Sequence, residues 1–176
     1  MFRKTPLIKT KSKGFTLIEI MVALCIIGIL ISISYPMFSS SMINNRLYSE
    51  ATQTNSIFSL ARTEAIRRNN FVTVCPTNNG STCLASNLFQ TGIIVFLNNE
   101  NAGLNDSSQI IRVFDKWTQN DKGKIKVGNS VTFSAQGRVD ITNSLLICKP
   151  TYNSFLIDLN ASGFIKLNSN TGDGGC

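Results

Sequence analysis

The run from Phe15 to Phe38, FTLIEIMVALCIIGILISISYPMF, constrains this chain more than any other part of it. At ~1.5 Å per helical residue, about 24 residues reach ~36 Å, enough to cross a ~30 Å hydrocarbon core with some tilt. Arg3, Lys4, Lys9, Lys11 and Lys13 precede the run, with no acidic residue among them. That asymmetry predicts a single pass through the membrane, with a cytoplasmic N-terminus and export of everything after Phe38.

Glu19 does not suit a plain anchor. A carboxylate deep in a membrane helix costs ~2.5–3.5 kcal/mol on insertion scales, although one near a helix end can snorkel to the interface. The alternative is that Glu19 meets a cation inside an assembly. A cut between Gly14 and Phe15 would create an α-amino group four residues away. A neighbouring subunit shifted along the helix would present that amine to Glu19, neutralising both charges in a low dielectric.

Lys13-Gly14-Phe15-Thr16-Leu17-Ile18-Glu19 resembles the class III signal of type IV pilins and type II secretion pseudopilins. The resemblance implies that a prepilin peptidase cuts after Gly14, that Phe15 becomes N-methylated, and that Glu19 guides docking into a growing filament. It also implies residence in the inner membrane, with a periplasmic domain, before entry into a pilus or pseudopilus. An ordinary secretory signal fits less well, because no small-x-small cleavage site follows at the usual distance.

Composition bounds the remainder. Without leader and membrane helix, about 138 residues are left, enough for one small globular domain. The net charge of +7 is mostly topological: without the five leader cations, 12 Lys and Arg stand against 10 Asp and Glu, a net of +2. There is no His, which removes the commonest general base and metal ligand.

Cysteine usage agrees with export. Cys25 lies within the apolar run and behaves as a small apolar residue. Cys75, Cys83, Cys148 and Cys176 form an even set in the exported part, where oxidation is expected; four cysteines allow three pairings. The favoured ones are Cys75–Cys83, closing a local loop, and Cys148–Cys176, tying the C-terminus to a strand. Zinc is not expected, because no Cys-x2–4-Cys pair exists.

Along the chain, residues 1–14 are leader, 15–38 the transmembrane half of a long helix, 39–70 its exported half, and 71–176 a β-rich domain. Pro36 is expected to kink or locally unwind the helix. Beyond it, Ile43, Leu47, Ala51, Thr54, Phe58, Ala61 and Ala65 repeat at helical spacing and predict a core-facing stripe. Arg46, Glu50, Arg62 and Arg67 fall away from that stripe. Asn69-Asn70 end the pattern.

After Phe71 the period shortens. Residues 71–75, 92–97, 109–114, 124–127, 130–134, 144–148 and 154–159 read as strands, and 163–167 as a short edge strand. Asn79-Gly80, Lys122-Gly123, Gln136-Gly137 and Ser162-Gly163 supply turns. The expected class is α+β, a long helix packed on an antiparallel sheet.

The segment Ala61-Arg62-Thr63-Glu64-Ala65-Ile66-Arg67-Arg68-Asn69, followed by Val74-Cys75-Pro76, the GIIVF strand, Ile110-Ile111-Arg112-Val113, and Val131-Thr132-Phe133 through Gly137-Arg138, is similar to the FimT/FimU/GspH group of minor pilins and pseudopilins. With the N-terminal signal, the resemblance covers most of the chain. It implies a type IV pilin-like fold and a low-copy subunit near a filament tip. The expected partners are other major and minor pilins or pseudopilins, the prepilin peptidase and the inner membrane.

Other candidate sites are thinner. The loop from Asn98 to Asp106 places Asn98, Glu100 and Ala102 where an EF-hand series needs oxygen ligands, so a polar hairpin loop is expected there. Neither a metal nor a cofactor is expected. The candidate DNA-binding cations are Arg67, Arg68, Lys122, Lys124 and Lys166, provided that folding brings them to one face. DNA-binding FimT proteins carry a Gly-Arg-x-Arg-like motif near the C-terminus. Here Gly163-Phe164-Ile165-Lys166 and Gly137-Arg138-Val139-Asp140 replace arginine with Phe164 and Asp140, so DNA binding is expected to be weak. No nucleophile elbow, phosphate loop or paired carboxylate is evident, and the chain reads as an assembly subunit rather than an enzyme. Three functions follow: a minor pilin that starts or caps a type IV pilus, a FimT-type DNA receptor, or the H-type pseudopilin of a type II secretion system.

Overall fold

The computed structural model describes residues 14–98, 109–117, 122–125, 128–139, 142–150 and 152–170, the side chains of 34–37 and 170 excepted. The chain divides into two compact units, Met1–Ser39 and Ser40–Cys176. One helix, α1 (Leu17–Arg68), contributes to both.

In the first unit every described residue from Gly14 to Ile33 is exposed. These are Leu, Ile, Val, Met and Phe in the main, so the helix shows solvent an apolar surface long enough to cross a membrane. The backbone is assigned as helix through position 36, so the local unwinding expected at Pro36 is absent. The leader before Gly14 lies outside the described residues.

In the second unit α1 supplies one wall of the core. Leu47, Ala51, Thr54, Ile57, Phe58, Ala61 and Ala65 are buried, with Ile43 packed at the margin. The arc is wider than the sequence stripe: Glu50 is only 7 % exposed, a correction to its expected outward position. It sits one residue, about 100° of helical turn, from Ala51, and lines a cleft together with Gln53 and residues 112–117. The helix stops at Asn69, which takes φ +50°. The Asn69 amide donates to Ile66 O (3.2 Å) and the Asn70 amide to Ala65 O (3.1 Å). This paired closure satisfies carbonyls that the helix would leave open.

Among the described residues eight strands follow: β1 (Val72–Pro76), β2 (Ile93–Leu97), β3 (Ile110–Phe114), β4 (Lys122–Ile125), β5 (Val131–Phe133), β6 (Asn143–Cys148), β7 (Ser154–Leu159) and β8 (Ile165–Asn170). They form two antiparallel four-stranded sheets, β3-β2-β1-β5 and β4-β6-β7-β8, where the sequence suggested one. Val72, Val74, Val95 and Phe133 from the first sheet and Leu145, Ile147, Ile157 and Leu159 from the second share one core with α1. A 3-10 turn, Phe89–Thr91, links the sheets. Its Phe89 packs against Phe58 with ring centroids 6.4 Å apart, and the preceding Leu88 forms a bridge to Lys124 on β4.

Two boundaries differ from expectation for identifiable reasons. Lys122-Gly123 is strand, not turn: the pair opposes Cys148 and Ile147 in register. The Trp117 ring fills the space that a Cβ on Gly123 would occupy, so this glycine makes room for an aromatic ring rather than for a bend. The final strand runs to Asn170 and pairs with β7 over its whole length; Gly163 stays outside it with φ +74°.

Candidate functional site

The apolar run opens with a reciprocal cap. Gly14, Phe15 and Thr16 precede the first helical residue, Leu17. The Glu19 amide donates to Thr16 Oγ1 (3.4 Å), and the Thr16 amide donates to Glu19 Oε2 (3.5 Å). This Thr-x-x-Glu capping box satisfies two donors of the first turn, and the carboxylate lies at the helix end that favours negative charge. Glu19 therefore has a local role that the sequence analysis missed, although the four-residue motif was there to read. Phe15 is 78 % exposed and nothing lies within 4 Å of the Cβ position of Gly14, so no described residue crowds either side-chain position at the junction.

The cations do not form one surface. Arg67 Nη2 lies 2.7 Å and Arg68 Nε 2.6 Å from Glu64 Oε2, and Arg67 Nε adds a bond of 3.1 Å to Oε1. Hydrogen bonds from Arg67 first, then from Arg68, lower the Glu64 carboxyl to a pKa of about 2. The Glu64 side chain is 14 % exposed, against 61 % for Arg67 and 39 % for Arg68. Arg67 and Arg68 thus come together, but around an anion of their own chain.

Lys122, Lys124 and Lys166 share the outer face of the second sheet. The register places Lys124 opposite Leu146, Leu146 opposite Leu156, and Lys166 opposite Asp158, and directly opposed residues point to the same side. The lysines stand on the two edge strands, three strand steps apart. At ~4.8 Å per step the two edges lie roughly 14 Å apart across the sheet, with leucines and Asp158 between and Lys166 displaced along the strands from the Lys124 row. Lys126 and Asp140 lie outside the described residues.

Arg62 also departs from expectation. It does not turn outward: Nε donates to Gly137 O (3.1 Å) and Nη2 to Ser162 O (3.3 Å). Two of its five donors are thus committed to the turns before Arg138 and Phe164.

Cys75 and Cys83 form a disulfide with Cα atoms 5.6 Å apart. Cys148 is disulfide-bonded as well, while Cys176 lies outside the described residues. Cys25 is free and exposed on α1. Among the described residues no group of His, Cys, Asp or Glu could hold a metal ion; most of the 98–106 loop falls outside them.

The chain matches the family model described as Type II transport protein GspH over residues 50–163. It matches the prokaryotic N-terminal methylation motif over residues 9–35. Two crystal forms of the type IV minor pilin FimU of Pseudomonas aeruginosa are similar in structure. The P21 form is 20% identical with a TM-score of 0.59, over 70% of this chain and 89% of that one. The P65 form is 18% identical with a TM-score of 0.55, over 69% and 91%. At such identities the likeness is one of fold: a long helix on antiparallel sheets, the pilin arrangement. No curated protein sequence matches the chain.

Proposed function

Because the chain belongs to the GspH family, the minor pilins and pseudopilins, we propose that it is a minor pilin: a low-copy structural subunit that helps initiate or cap a type IV pilus. The observation that carries this reading is the methylation motif opening a helix that is wholly exposed from Leu17 to Ile33 and then becomes a wall of the folded core. Such a helix needs lipid before assembly and other helices after it. In this account the prepilin peptidase cuts after Gly14, Phe15 is methylated, and Glu19 takes a neighbour's amine as the subunit leaves the inner membrane. The periplasmic domain then meets other major and minor pilins. The similarity to FimU, a minor pilin, supports the choice of pilus.

The test is genetic. Strains lacking the gene should lose most surface pili in a shear-and-blot assay, and regain them with the wild-type gene but not with Glu19→Ala. Unchanged piliation in the deletion strain would sink the reading. The family description, a type II transport protein, supports a second one: an H-type pseudopilin. Loss of secreted enzymes with piliation intact would favour it.

A further inference from the structure

The sequence contains one Asn-Gly step, Asn79-Gly80, and the structure makes it the hub of the loop closed by Cys75–Cys83. Asn79 Oδ1 accepts hydrogen bonds from the amides of Ser81 (2.9 Å) and Thr82 (3.0 Å) and from the hydroxyls of Thr77 (3.2 Å) and Thr82 (3.3 Å). Asn79 Nδ2 donates to Thr82 Oγ1 at 3.0 Å. The Gly80 amide donates to Thr77 Oγ1 at 3.0 Å. Both ends of the loop are tied down: the Thr77 amide donates to Gly92 O (2.9 Å) and the Leu84 amide to Pro76 O (2.8 Å). Val113 Cγ1 lies 3.3 Å from the Cβ position of Gly80.

Asn-Gly is the step at which a chain most readily attacks itself, since no side chain shields the glycine nitrogen. The Gly80 nitrogen loses its proton and bonds to Asn79 Cγ, the Cγ–Nδ2 bond breaks, and ammonia leaves. Water then opens the succinimide to aspartate or isoaspartate. Here the attacking N–H is held by Thr77. The Asn79 carboxamide cannot swing over the Gly80 nitrogen without giving up the bonds at Oδ1 and Nδ2, and the loop around it is cross-linked.

We infer that Asn79–Gly80 is a latent deamidation site, kept closed by Thr77 and the Cys75–Cys83 loop and opened when that disulfide is reduced. The reductant is a dithiol: its two thiols become a disulfide as Cys75 and Cys83 become thiols. The inference is independent of which filament the chain joins.

The experiment ages the full-length chain in detergent at neutral pH and reads Asn, Asp and isoAsp at position 79 by peptide mapping. The oxidised chain is compared with the same chain in dithiothreitol, with the oxidised chain in urea, and with Thr77→Val. A synthetic peptide spanning 77–82 sets the unprotected rate. The native oxidised chain should deamidate at least roughly fivefold more slowly than the peptide, since at least one net hydrogen bond must break before attack. Reduction and Thr77→Val should each restore much of the peptide's rate. Deamidation of the oxidised native chain at the peptide's rate would overturn the inference. So would a slow rate that neither reduction nor Thr77→Val changes. The peptide and urea arms hold even if a variant misfolds.

Discussion

Gly163 rests on Gly137 so closely that a Cβ on Gly163 would collide with the Gly137 carbonyl oxygen. That oxygen also accepts the hydrogen bond from Arg62 Nε, and both glycines have left-handed backbones, φ +74° and +72°. Two turns far apart in sequence are thereby locked to each other and to the end of α1.

Gly163→Ala should therefore destabilise far more than its conformation alone implies. Left-handed backbone costs an alanine about 1 kcal/mol; displacing a backbone carbonyl and weakening the Arg62 bonds should bring the loss to roughly 3 kcal/mol or more. Gly128 is the control: it shares φ +74° but has nothing within 4 Å of its Cβ position, so Gly128→Ala should cost only about 1 kcal/mol. Urea unfolding of the two variants in parallel checks the difference, and equal losses would refute it.

Acid should loosen the end of α1. The Glu64 carboxyl has its folded pKa lowered from 4.5 to about 2. A lowered folded pKa means that the stabilisation is fully present above the unfolded value and is lost as pH falls from 4.5 through about 2. The effect is small, because the guanidinium partners face water. Glu64→Gln should flatten the dependence of stability on pH across that window; an unchanged profile would show that the clamp contributes nothing.

Non-reducing peptide mapping should recover Cys148 joined to Cys176. In the chain-entropy model a closed loop of about 29 residues contributes about 3.5 kcal/mol, so Cys176→Ser should lower the urea midpoint markedly. Recovery of Cys176 as a free thiol, or joined to Cys25, would exclude this pairing.

DNA binding should be weak. Arg67 and Arg68 are occupied by Glu64, Arg62 by two carbonyls, and Lys122 and Lys124 stand on the edge opposite Lys166. Two or three phosphate contacts give a shallow salt slope, at about 0.9 per contact on duplex DNA. A gel-shift titration of the chain without its membrane helix, at low and physiological salt, measures this. Sub-micromolar binding that survives physiological salt and disappears with Lys166→Ala would overturn it and favour an uptake receptor.

Much of the fold was legible because periodicity reports which side of an element is covered. The stripe from Leu47 to Ala65 announces itself that way, whereas β1 and β7 are signalled by their β-branched and aromatic residues and the turns at Gly137 and Gly163 by glycine itself. Periodicity does not report what does the covering. Glu50 was misplaced because the covered arc of the helix is wider than its apolar stripe and takes in Glu50 and Ile57. Arg62 was misplaced because a long polar side chain can bend back to backbone carbonyls supplied by distant turns. Lys122-Gly123 reads as a turn until Trp117 is known to occupy the glycine's open side. The division into two sheets depends on pairings between strands, which single segments do not encode. At the functional end, Gly14, Phe15 and Glu19 were legible as a motif, while the reciprocal bond to Thr16 required seeing Glu19 as a helix cap before seeing it as a charge.

Both partners of that cap, Thr16 and Glu19, lie on the same side of the Gly14–Phe15 junction. Severing the junction would remove neither hydrogen bond, so the rod would keep the same first residue and the same phase before and after processing. A peptidase would be offered a non-helical Gly14–Phe15 peptide beside a helix that already begins at Leu17. Cleavage there would change the charge at one end of the helix and leave both bonds of its cap in place.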